Sequence, residues 1–121
     1  MNCSAKTVGG AALATVSGRI DLSNAEALRE ALAAALASTE TALVVDLVGV
    51  DYISSAGLRS LMIVFKAAKP LGKAFAIAGL QPLLMEIFTI SRFNLVFPLF
   101  DTVRGALEKF APAALPEFDA H

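Results

Sequence analysis

Val44-Val45-Asp46-Leu47-Val48-Gly49-Val50-Asp51-Tyr52-Ile53-Ser54-Ser55-Ala56-Gly57-Leu58 runs from a buried strand through a short loop into a helix, leaving two serines at the junction. The first amides of a helix lack intrahelical partners, and the macrodipole places roughly half a positive charge there, so negative charge is stabilised at that end. A hydroxyl at such a junction suits a switchable charge. Upstream, Ala42 to Leu47 is a short, nearly continuous apolar run, the pattern of a strand covered on both sheet faces and therefore central. Downstream, Leu58, Leu61, Met62 and Phe65 recur at helical spacing, with Arg59, Lys66 and Lys69 between them. Pro70 and Gly72 end that helix.

The flanking sequence alternates in the same way. Gly9-Gly10 between two extended stretches, Cys3 to Val8 and Ala11 to Val16, reads as a tight hairpin. Ser23-Asn24-Ala25-Glu26 fits a capping box opening a helix that continues to about Ser38, with Leu28, Leu32 and Leu36 on its apolar face. Ala74 to Ala78 is a second buried strand. Gly79 turns the chain into a helix near Pro82 whose apolar face is Leu83, Leu84, Ile87 and Phe88. Val96 to Leu99 is a last strand, assigned to an edge by Pro98, and Asp101 or Thr102 caps a final helix to Phe110. Strands alternating with helices predict an α/β fold with at least one parallel crossover, and the hairpin makes the sheet mixed. Residues 1–110 form the expected domain. Residues 111–121 contain two prolines, no periodicity and the only histidine, and they read as a flexible tail.

A length of 121 residues suits one domain. With 10 basic and 11 acidic residues and no basic stripe evident in the sequence, direct nucleic-acid binding and an anionic-membrane surface are disfavoured. Cys3 alone builds no internal disulfide, and no apolar run approaches a membrane span or a signal peptide, which points to a reducing cytoplasm. A mean hydropathy of +0.67 is high for a soluble domain, and the excess apolar surface suits a partner or a homodimer.

Enzymatic readings fare poorly. There is no Gly-x-Ser-x-Gly elbow, no base for Ser55 and no phosphate-cradling glycine loop, so no catalytic or cofactor-binding residue is assigned and no cofactor is expected. Asp21, Asp46 and Asp51 invite a metal reading. Asp at a strand exit more often accepts local amides, and no histidine or further carboxylate joins them in register, so no metal site is assigned. Ser54 and Ser55 read most simply as a helix cap and its neighbour. Leu80, Gln81 and Pro82 read as ordinary turn residues that the topology could bring near the serines.

Asp46-Leu47 followed by Tyr52-Ile53-Ser54-Ser55-Ala56-Gly57-Leu58 resembles the signature loop of the STAS family, the anti-sigma-factor antagonists. Gly18-Arg19-Ile20-Asp21 resembles the family's Gly-x-Leu/Ile-Asp step, and order and spacing agree from about Ala11 to Phe110. The resemblance implies a single-domain STAS fold: a mixed sheet of four or five strands with helices mainly on one side. It implies a cytoplasmic protein that binds an anti-sigma serine kinase when unphosphorylated, is switched off by phosphorylation at Ser55, and is restored by a metal-dependent serine phosphatase. Sigma-factor-dependent transcription would be regulated in this way. Asp21, Ser54, Ser55, Ala56, Gly57 and Arg59 form the implied partner face, with Asp21 an acidic contact. Ser54 is a departure, standing where many members place Asp. Ser91-Arg92-Phe93 is another, because relatives often have Gly after that helix and the turn is expected to differ. The alternative within the family is an accessory subunit of a lipid-transport ABC assembly that binds an ATPase subunit constitutively.

Overall fold

The strand read as central is β3, Ala42–Ile53, flanked by β2, Ala11–Ile20, and β4, Ala74–Ala78; β1, Asn2–Val8, and β5, Leu99–Phe100, form the edges of one five-stranded sheet. β1 pairs antiparallel with β2, and every other pairing is parallel. The structure is a computed structural model that describes residues 1–120. Gly9 (φ 53°) and Gly10 (φ 88°) make the hairpin turn, whose left-handed backbone only glycine adopts without strain.

Alternation along β2 and β3 divides the interior. On one face Ala12, Ala14, Val16, Val45 and Leu47 meet three helices, α1 (Ala25–Ala37), α2 (Ser55–Ala68) and α3 (Pro82–Ile90). Leu28, Leu32, Leu61, Leu84 and Phe88 are completely buried there, each contributing about 1.5–3 kcal/mol of hydrophobic stabilisation. The small alanines of β2 let the helices lie close. On the other face Leu13, Val44, Ala76 and Ala78 meet α4 (Val103–Phe110). Helices on one side and a smaller cover on the other complete the expected α/β architecture.

Several local expectations are corrected. β3 does not stop at Leu47. It continues to Ile53 beside β2 alone, through register shifts between Thr15 and Ser17 and between Gly18 and Arg19. Gly49 permits that approach, since a Cβ there would lie 2.8 Å from the Ser17 Cβ. The capping box at α1 does not form. Asn24 is the cap residue without a side-chain cap bond, Ser23 donates to Asp21 Oδ1, and Glu26 pairs with Arg29. Asp21 Oδ1 takes the Ser23 amide that Glu26 would accept in a capping box, and Arg29 holds the Glu26 carboxylate away. Leu83 is exposed beside Pro82 while Leu84 and Phe88 carry the buried face of α3. The last strand begins at Leu99, because Phe93–Leu95 forms a 3₁₀ turn and Pro98 lends only its carbonyl, to Ile77 N at 2.9 Å.

The segment after Phe110 is not a loose tail through residue 120. Pro112–Ala114 forms a 3₁₀ turn and Leu115–Asp119 a short helix, α5, packed on the α4 side. Ala114 is completely buried against the hairpin, where a Cβ on Gly9 would come within 2.5 Å of the Ala114 Cα. Glu117 accepts from Gly9 N, and Arg104 pairs with Asp119 at 2.9 Å. These contacts span most of the chain, so no local periodicity announces them. His121 lies outside the described residues.

Candidate functional site

The ends of β2 and β3 meet in register at Ile20 and Ile53, and the chain leaves this pair directly into α2. Ser54 N donates to Ile20 O at 2.9 Å, which ties the junction to the sheet. The Ser54 backbone is extended (φ −85°, ψ 171°), and its Oγ accepts from Gly57 N at 3.2 Å, so Ser54 is the helix cap. Ser55 is therefore the first helical residue, and it is exposed. Two adjacent serines divide two tasks: one satisfies the helix end and the other presents its hydroxyl to solvent.

Gly57 is buried, and its role is packing. A Cβ there would lie 2.6 Å from Ile20 Cγ2 and 2.8 Å from Ile53 Cγ1, so only glycine lets the first turn of α2 rest on the strand ends. Ala56 is half-buried in a groove between α1 and α2 that Leu22, Arg29 and Ile63 also line. Arg59 is exposed one turn below Ser55. Ser55 and Arg59 share a cavity of about 400 Å³ with Leu58, Met62, Ser91 and Phe93. Leu58 and Met62 follow Ser55 at helical spacing and were findable from the sequence. Ser91 and Phe93 arrive from beyond α3 and carry no local signal.

Asp21 stands beside the junction but is engaged internally. Its Oδ1 accepts from Ser23 N at 2.9 Å and Ser23 Oγ at 2.5 Å, and Oδ2 lies 3.6 Å from Arg19 Nε. The Ser23 hydroxyl, with the Ser23 amide and the Arg19 charge, holds the Asp21 carboxyl below its ordinary range. Arg19 also stacks 3.8 Å over the Tyr52 ring, and Asn24 bridges Asp21 N and Arg19 O. Asp21 thus organises the turn into α1. Asp46 likewise accepts locally, from Val48 N at 3.0 Å. Gln81 donates to Val48 O at 2.9 Å, so the turn after β4 docks on β3 and not on the serines. Among the described residues no group of three or more His, Cys, Asp or Glu side chains is placed to hold a metal. Among the described residues no helix is long and apolar enough to cross a membrane.

The STAS domain profile matches residues 2–106, and the chain belongs to that family. It is 35% identical over 106 residues to BtrV of Bordetella bronchiseptica, itself provisionally described as an anti-sigma factor antagonist, covering 88% of this chain and 91% of BtrV. It is 31% identical over 100 residues to the anti-sigma-F factor antagonist RsfB of Mycobacterium tuberculosis, covering 81% of this chain and 80% of RsfB. The crystal structure of an anti-sigma factor antagonist from Mycobacterium paratuberculosis superposes with a TM-score of 0.80 at 28% identity, over 88% of this chain and 91% of that one.

Proposed function

We propose that this chain is an anti-sigma factor antagonist whose unphosphorylated form binds an anti-sigma kinase, and that phosphorylation of Ser55 ends the capture. The observation that carries the reading is the division of labour at the start of α2: Ser54 caps, and Ser55 presents an exposed hydroxyl. The names borne by BtrV and RsfB support the antagonist role. Binding would place the β3–α2 junction, Ala56 and Arg59 against the kinase, with Gly57 shaping the surface from beneath. A metal-dependent serine phosphatase would reverse the modification. The chemistry is assigned to these partners, because among the described residues the cavity beside Ser55 is lined by Leu58, Arg59, Met62, Ser91 and Phe93, which offer no general base.

Phosphate transfer is the direct test. Incubation with the anti-sigma kinase of the same organism and ATP, followed by mass spectrometry, is expected to find phosphate on Ser55 and not on Ser54. Modification of Ser54 alone, or of neither serine, overturns the assignment. A constitutive transport subunit would bind its ATPase partner equally well with Ser55 free or blocked.

A further inference from the structure

The helix that begins at Ser55 is charged with one sign only. From Ser55 to Lys73 the chain carries Arg59, Lys66, Lys69 and Lys73 and not one acidic residue, although acidic residues outnumber basic ones in the whole sequence, 11 to 10. Elsewhere three of the four arginines are neutralised, Arg19 by Asp21, Arg29 by Glu26, and Arg104 by Glu108 and Asp119, while Arg92 has no ion pair among the described residues and stands between Ser91 and Phe93, which line the Ser55 cavity. Among the described residues no ion pair involves Arg59, Lys66 or Lys69, and all three are exposed. Lys73 is occupied, donating to Leu36 O at 2.9 Å.

The balanced overall charge hides a short basic stripe, because helical geometry gathers these charges on one line of α2. Ser55, Arg59, Met62 and Lys66 stand at i, i+4, i+7 and i+11, so they form one stripe down α2, and Lys69 continues it at the helix end. Alongside its upper half lies the cavity of about 400 Å³ floored by Leu58, Met62 and Phe93. A row of unpaired cations beside an apolar recess is complementary to an acidic segment carrying an apolar side chain. A phosphate array or a lipid headgroup layer would match the charges and leave the recess unfilled.

We propose that the Arg59–Met62–Lys66 stripe is the docking surface for an acidic, apolar-anchored segment of the kinase, with Lys66 a contact remote from the serines. This rests on the kinase-binding reading above and names the chemistry of the partner's surface. It also gives the phosphate a second action. On Ser55 it faces Arg59 one turn away, so it competes with the partner's carboxylates for that guanidinium while repelling them.

The experiment titrates the purified anti-sigma kinase of the same organism against the unsubstituted chain, Lys66→Glu, Lys66→Gln and Lys109→Glu. Lys109→Glu makes the same charge change at an exposed position of α4, across the sheet. Melting temperatures confirm that each variant is folded. Lys66→Glu is expected to weaken binding about tenfold or more, more strongly at low salt, Lys66→Gln about threefold, and Lys109→Glu less than about twofold. Equal effects of Lys66→Glu and Lys109→Glu overturn the proposal. So does binding to phosphatidylglycerol vesicles that Lys66→Glu abolishes while kinase affinity stays unchanged. Failure of the unsubstituted chain to bind the kinase overturns the kinase reading itself, and the proposal with it.

Discussion

At the scale of single residues, Gly57 and Arg92 make opposite demands on the backbone and on space. Gly57 is held by contact: the atoms nearest its missing Cβ sit on the branched Cβ carbons of Ile20 and Ile53, which are stiff and cannot swing aside. Gly57→Ala is therefore expected to destabilise the fold by about 1–3 kcal/mol in urea titration, even though alanine favours helix. Unchanged stability would show that α2 can lift off the strand ends without penalty. Arg92 is the reverse case, the one non-glycine residue with positive φ among the described residues (φ 63°, ψ 16°). The family resemblance implies glycine there and a different turn with arginine in its place; that expectation is corrected, since Arg92 itself takes the left-handed conformation and the strain is carried, not avoided. Arg92→Gly is expected to raise stability by about 0.5–1 kcal/mol, the relief of strain being partly offset by a freer unfolded chain. A loss of stability would mean that the Arg92 side chain supplies contacts worth more than the strain.

At the scale of elements, the buried segments were legible and the long-range docking was not. β4 matches its apolar run to the residue, and the hairpin followed from Gly9-Gly10, because both signals are local. The second half of β3 was read as a loop, since Val48, Gly49, Asp51 and Tyr52 are exposed and break the apolar run; its pairing with β2 depends on register, not composition. The serine junction of the site was legible for the same reason as β4, whereas Ser91 and Phe93 reach it only through the tertiary fold. α5 was missed because its anchors, Leu115 and Phe118, are too few to show a period. Deleting residues 111–121 would uncover the sheet beneath Ala114 and remove the Arg104–Asp119 pair. A fall in stability of about 2 kcal/mol or more is expected in thermal or urea unfolding, and a shift within error would show α5 to be dispensable. The turn into α1 carries a pH signature. Asp21 has a lowered carboxyl pKa in the folded state, so its contribution is complete above the ordinary value near about 3.9 and is lost as pH falls through the folded value. The gap in melting temperature between the unsubstituted chain and Asp21→Asn should accordingly be present at pH 6 and close as pH falls below about 4; a gap independent of pH would assign it to packing.

At the scale of the whole molecule, the ends of β2 and β3 seat the start of α2 through Ser54 and Gly57 while Ser55 stays exposed. A phosphate there acts in two directions. Inward, its charge of about −1.5 to −2 meets the amide-rich start of α2, which should hold stability or raise it by a few tenths to ~1 kcal/mol. Outward, under the proposed function, it would meet a kinase surface made negative by nucleotide phosphates or carboxylates, and like charges in a partly desolvated contact cost several kcal/mol. Binding is expected to fail while the fold persists, which separates a switch from simple unfolding. The measurement that tests this most directly takes one preparation carrying phosphoserine at position 55 and determines both its affinity for the anti-sigma kinase and its melting temperature beside the unmodified chain. The expected result is an affinity lowered about a hundredfold or more, with a melting temperature unchanged or slightly raised. Unchanged affinity, or an affinity lost only because the phosphorylated chain has melted, would contradict the account.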